Sequence, residues 1–105
     1  MKPIEVFITF PDTESARKVA RILVEKHLAA CVNIVPRVHS VYRWKGQIEE
    51  DQEALAIIKT FPSHFEELCR EVQMHHPYEL PAITGIPVEL LPQKVANWLN
   101  ESMNI

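Results

Sequence analysis

Hydrophobic positions fall into blocks whose spacing changes along the chain. Ile4 to Phe10 is rich in β-branched and aromatic residues and predicts a mostly buried strand. Pro11-Asp12 stops it, and Asp12 or Thr13 is suited to accept from the first free N–H groups of a helix. Ala16, Val19, Ala20, Leu23 and Val24 then recur at helical spacing while Arg17, Lys18, Arg21 and Glu25 face elsewhere, which predicts an amphipathic helix ending near His27. Leu28 to Ile34 is a second apolar run. Val35-Pro36 bends or interrupts this strand, because proline cannot donate to a ladder, and the strand restarts near Val38. From Val38 to Trp44, Val38, Ser40, Tyr42 and Trp44 share one side of the alternation and His39, Val41 and Arg43 the other.

Lys45-Gly46 is a short turn signal before another alternating run, so a β-hairpin is expected, with its return strand over Gln47 to Thr60. Two strands of that length make a ribbon whose polar tip projects from so small a domain, and a projecting ribbon is a pairing edge that calls for a partner chain. Ser63-x-x-Glu66 has the form of a capping box, and Phe65, Leu68, Cys69 and Val72 supply the buried stripe of a second helix that Pro77 ends. Ala82 to Val88 reads as a strand with Pro87 near an edge. Pro92 suits the first turn of a final helix docked by Val95, Trp98 and Leu99. The order β-α-β-β-α-β plus a C-terminal helix is that of an α+β, ferredoxin-like sandwich.

Composition narrows the function classes. The chain has 105 residues, enough for one domain spanning 1–105, with 47% hydrophobic and 24% charged residues. Eleven Lys+Arg against 14 Asp+Glu give a net charge of −3, which disfavours a phosphate-backbone partner, and no nucleic acid is expected. No apolar run reaches the ~20 residues of a membrane span. Cys31 and Cys69 form neither a disulfide framework nor a Cys-x-x-Cys, so a cytoplasmic setting is expected. With Gly46 and Gly85 as its only glycines, the chain has no phosphate-binding loop, and it contains no catalytic triad spacing or His-Glu-x-x-His.

Four segments carry a family resemblance: Leu28-Ala-Ala-Cys-Val-Asn33, Ser40-Val-Tyr-Arg-Trp-Lys-Gly46, Ile58-Lys-Thr60 and His75-His-Pro-Tyr-Glu-Leu-Pro81. Together with Pro11-Asp12 and Trp98-Leu99 they resemble the divalent-cation tolerance family, CutA, over nearly the whole chain. That resemblance implies a homotrimer similar in architecture to the PII signalling proteins, with the ribbon of one subunit extending the sheet of its neighbour. It also implies a non-catalytic link to copper, Cu(II), or another divalent cation, and no organic cofactor. Some members carry a cysteine where this chain has Ile8, so a thiolate site at that position is not expected.

Among single residues, His75 and His76 are the first-choice metal ligands, since imidazole suits Cu, Zn and Ni. Adjacent side chains diverge by about 100° inside a helix, so the pair chelates only if the chain leaves helical geometry at Pro77. The alternative is structural: His75 meets the helix's negative end and His76 packs at a subunit boundary. Glu67, Glu71 and His75 share one helix face. Cys31 and Cys69 are expected in the core as small hydrophobes. Glu49, Asp51 and Glu53 share a ribbon face that discourages wrong pairing. Tyr42 and Trp44 are expected at the trimer interface, and Lys59 in a cleft between subunits where an anion would sit. The alternative function is a PII-like signalling or scaffold module that binds a small ligand or partner protein in such clefts.

Overall fold

A computed structural model describes residues 2–104. Its elements are β1 (Ile4–Phe10), α1 (Thr13–Glu25), β2 (Cys31–Trp44), β3 (Gln47–Thr60), a 3-10 turn (Pro62–His64), α2 (Phe65–His75), β4 (Ile83–Pro87) and α3 (Gln93–Ser102). The strands form one antiparallel sheet in the order β2-β3-β1-β4. The two crossovers carry α1 and α2, and the even-numbered residues of the central strands (Val6, Ile8, Phe10, Ala54, Ala56 and Ile58) are buried in one cluster with Ala16, Val19, Leu23, Leu68 and Val72. This is the expected ferredoxin-like α+β arrangement.

Local chemistry explains the boundaries. The Asp12 carboxylate accepts the Ser15 N–H at 2.7 Å and caps α1, and that bond holds its carboxyl below the ordinary range. At the other end His27 takes a left-handed conformation, φ 56°. Its N–H donates to the Val24 carbonyl and that of Leu28 to the Leu23 carbonyl, closing a Schellman turn with Leu23 and Leu28 both in the core. In the hairpin, Lys45 and Gly46 both have positive φ (49° and 80°), as a two-residue turn between twisted strands requires. α2 ends at His75, with His76 extended ahead of Pro77.

Several expectations are corrected. β2 starts at Cys31, because Leu28, Ala29 and Ala30 are buried in the connection that follows the Schellman turn. It is one 14-residue strand, and the irregularity at Pro36 is a bulge: Val35 lies opposite Leu55 and Val38 opposite Glu53, so Pro36 and Arg37 together oppose Ala54. The Ser63–Glu66 capping box does not form; Ser63 lies inside the 3-10 turn, with its hydroxyl on His64 Nδ1 at 3.1 Å, and no side chain caps α2. α3 docks through Leu99 and Met103 onto Ala30 and Phe61, leaving Val95 and Trp98 39% and 46% exposed. Pro92 stands just before its first turn.

The bulge has a consequence for the faces of the sheet. Residues opposite one another project to the same side. Before the bulge, Cys31, Asn33 and Val35 share a side with Lys59, Ile57 and Leu55; after it, Val38, Ser40, Tyr42 and Trp44 share that same side with Glu53, Asp51, Glu49 and Gln47. The extra residue therefore switches β2 from odd to even numbering on the face away from the helices. In the body this face carries half-buried Phe7, Leu55 and Ile57, none of them in a helix-covered cluster. Leu23→Ala is expected to lower the unfolding free energy by about 2–5 kcal/mol, and Val24→Ala, on the exposed flank of the same helix, by less than about 1 kcal/mol. Urea titrations of the two variants would check this, and equal losses would contradict the packing described.

Candidate functional site

The ribbon leaves the body where β1 ends. Phe10 pairs with Ala54, so Glu53 is the first β3 residue beyond that neighbour. The segment after α2 comes to this point. His76 is 8% exposed and stacks on Phe10, ring centroids 4.4 Å apart and 21° between planes. Its Nε2–H donates to the Thr9 carbonyl at 2.8 Å, and its Nδ1 accepts the Tyr78 N–H at 3.0 Å. This pair of bonds selects the neutral ring protonated on Nε2. The Tyr78 hydroxyl then donates to Glu53 at 2.5 Å, and Lys45 at the hairpin turn lies 3.8 Å from Glu79. The buried carboxylate of Glu53 is thereby satisfied.

Burial pushes the His76 ring below its ordinary value of 6.5, against the opposing pull of the Thr9 carbonyl bond and the Glu53 charge. Burial, with the Glu53 bond behind it, pushes Tyr78 upward. On the ribbon, Tyr42 donates to Asp51 at 2.6 Å; that bond is the main cause of its rise to about 12.

His75 points elsewhere. Its Nε2 lies 3.4 Å from Glu71, whose carboxylate also receives Lys26 of the α1 terminus at 2.7 Å. The Lys26 bond is the main reason that Glu71 sits below the usual carboxylate range. The chain does leave helical geometry at His76, but the two imidazoles are committed to different partners. Both ring nitrogens of His76 are occupied by protein groups, so the adjacent pair is not arranged as a chelate. No group of three or more metal-capable His, Cys, Asp or Glu side chains occurs among the described residues.

Lys59 lies on the uncovered sheet face, its ammonium donating to the Asn33 side-chain amide oxygen (Oδ1) at 3.1 Å and standing 3.9 Å from Glu5. Tyr42 is opposite Glu49, ten positions along β3 from Lys59. That is roughly 33 Å at a rise of 3.3 Å per residue, so the ribbon aromatics and Lys59 share a face without forming one site within the chain. Tyr42 and Trp44 remain 40% and 38% exposed. Cys31 is half-buried on this face, opposite Lys59, and Cys69 is half-buried beside the stripe of α2; neither lies in a core cluster, correcting the expectation for both. The missed position is Glu53: the acidic ribbon signal was legible, but its contact with Tyr78 depends on where β1 stops.

Comparison with known proteins places this geometry in a family. Residues 4–102 match the model described as CutA1 divalent ion tolerance protein. The chain belongs to the CutA family. It is 45% identical over 97 residues to the divalent-cation tolerance protein CutA of Thermus thermophilus, covering 92% of this chain and 94% of that one. Mouse protein CutA is 43% identical over 95 residues, 90% of this chain, but the match spans only 54% of the mouse protein's length. Among solved structures, the Thermus thermophilus divalent cation tolerance protein superposes with a TM-score of 0.92 at 44% identity, over 95% of this chain and 97% of that one. CutA1 of Oryza sativa does so at 0.93 and 37% identity, over 97% and 94%.

The His76 shift fixes the sign of a pH dependence. A ring whose folded value lies below 6.5 takes up its proton more readily when unfolded, so its contribution is complete above about pH 6.5 and erodes as pH falls below it, by at most about 1.4 kcal/mol per pH unit. His76→Gln keeps a donor and an acceptor without a titrating ring. The stability gap between the wild type and this variant is therefore expected to narrow from pH 7.5 to pH 5.5 in urea unfolding. Parallel profiles would mean that His76 keeps its ordinary affinity for protons.

Proposed function

We propose that this chain acts as a non-catalytic, cytoplasmic CutA-type homotrimer that takes part in divalent-cation tolerance, copper included. One observation carries the assembly: the uncovered sheet face, with half-buried Phe7, Leu55 and Ile57 in the body, continues through the Pro36 bulge onto the side of the ribbon bearing Tyr42 and Trp44. A face of that kind on a soluble subunit needs covering. The ribbon also offers a strand edge, since β3 beyond Ala54 has no β1 beside it. An edge that receives a different surface of the next copy closes into a ring where the rotation permits, and the family resemblance implies three copies. The metal side of the reading rests on relatives: the proteins of Thermus thermophilus and Thermotoga maritima are named divalent-cation tolerance proteins. The described residues of one subunit do not fit a resident metal centre, so a cation would be held by few donors or by donors from more than one subunit.

A second reading, a PII-like module taking an anionic ligand between subunits, is favoured by Lys59 alone. Its ammonium is about one-third exposed on the face that the assembly would use, with a neutral amide as its closest partner.

Sedimentation equilibrium at micromolar concentration is expected to return three times the 12.1 kDa subunit mass. Ile57→Asp, which places a charge on the uncovered face, is expected to return the subunit mass with unchanged helix and strand content by circular dichroism. A wild-type monomer would contradict the assembly. A Cu(II) titration against a chelator of known strength is expected to saturate at one ion per subunit or per trimer; weak, non-stoichiometric uptake would remove metal capture from the reading and leave the assembly standing.

A further inference from the structure

The sequence offers His75-His76 as a chelating pair, and the geometry does not. We infer that His76 and Tyr78 form a brace that fixes the direction in which the ribbon leaves the body, and that His76 serves this brace and not a metal ion. Both ring nitrogens of His76 are engaged, one across to β1 and one within its own segment. Nε2–H ties the extended segment that follows α2 to the Thr9 carbonyl, Nδ1 receives the Tyr78 N–H, and the ring face lies on Phe10. Those three contacts place the Tyr78 ring, itself 4.9 Å from His76, so that its hydroxyl meets Glu53 at the first position where β3 has lost β1. Beyond that position the hairpin is a two-stranded ribbon, a structure with little rigidity of its own. Glu53 is 6% exposed, which makes this an inflexible attachment at the hinge, and Lys45–Glu79 is a looser contact nearer the turn. A cation at either nitrogen of His76 would have to displace one of the bonds that hold the brace.

The brace gives the proposed assembly a positioning device, because a ribbon that pairs with a neighbour must arrive at a fixed angle; the brace itself is readable without association. Tyr78→Phe keeps the ring and removes only the hydroxyl. Hydrogen exchange of the Val38–Glu53 ribbon amides is expected to quicken by about tenfold in this variant, the order set by one lost hydrogen bond to a carboxylate. Amides of Val19 and Leu23 in α1 are expected to be unchanged, whereas a merely structural loss would raise exchange everywhere. The same measurement in the Ile57→Asp background separates the brace from the assembly: ribbon exchange that quickens there supports the brace even if the wild type is a monomer. In parallel, Cu(II) uptake by His76→Gln is expected to match the wild type within about twofold. Ribbon exchange unchanged by Tyr78→Phe in both backgrounds would overturn the brace. Uptake lost with His76→Gln would overturn the assignment of His76 away from metal.

Discussion

Pro36 has no N–H to give to the sheet, and it sits inside a 14-residue strand. β2 is an edge strand with β3 on one side only, so the missing donor can be tolerated without breaking the ladder. The chain responds by placing two residues, Pro36 and Arg37, opposite one, Ala54. Because strand side chains alternate with a period of two, that single extra residue decides which side every later β2 residue faces. Without it, Tyr42 and Trp44 would stand on the helix side, opposite to Lys59, Ile57 and Leu55. With it, one continuous face runs from the body of the sheet to the hairpin turn.

That face and the helix layer divide the work of the fold. The helix side holds the core: Val6, Ile8, Phe10 and Ile58 against Val19, Leu23, Leu68 and Val72, all of them essentially inaccessible to water. The other side keeps apolar residues only half-covered, mixes in Glu5, Asn33 and Lys59, and leads into a ribbon lined with Glu49, Asp51 and Glu53. The acidic residues are not left to repel one another freely. Asp51 receives Tyr42, Glu53 receives Tyr78, and Glu50 on the reverse side lies 3.0 Å from His39. A ribbon so tied presents a defined surface, which is what recognition by a second copy requires. In the inferred brace, His76 and Tyr78 anchor that surface to the body, with Glu79 beside Lys45 nearer the turn.

Most of the fold was legible because its punctuation is strong. Pro11-Asp12, Lys45-Gly46 and Pro77 each enforce a local geometry, and the periodicity between them left little freedom of element type. What could not be read depended on three-dimensional context. The alternation showed that Tyr42 and Trp44 share a side, but whether Lys59 faces the same way depends on how many residues the irregularity at Pro36 inserts. Ser63 fits a capping pattern, yet the 3-10 turn beginning at Pro62 takes it out of the capping position. The spacing of Val95, Trp98 and Leu99 marks one side of α3, while the docking contact is made by Leu99 and Met103 at the end of the helix. His76 looked like a ligand because adjacent histidines before a proline are chemically suggestive; the partners that occupy its nitrogens, Thr9 and Tyr78, lie 67 and 2 residues away.

In the proposed assembly, the bulge at Pro36 sets the face through which subunits meet. Deleting Arg37 removes the extra residue while leaving the hairpin turn and the β3 sequence intact. The deletion variant is expected to keep the helix content and cooperative unfolding of the wild type and to sediment as a single subunit, because Tyr42 and Trp44 now stand on the helix side. A variant that folds and still associates as tightly as the wild type would contradict the account.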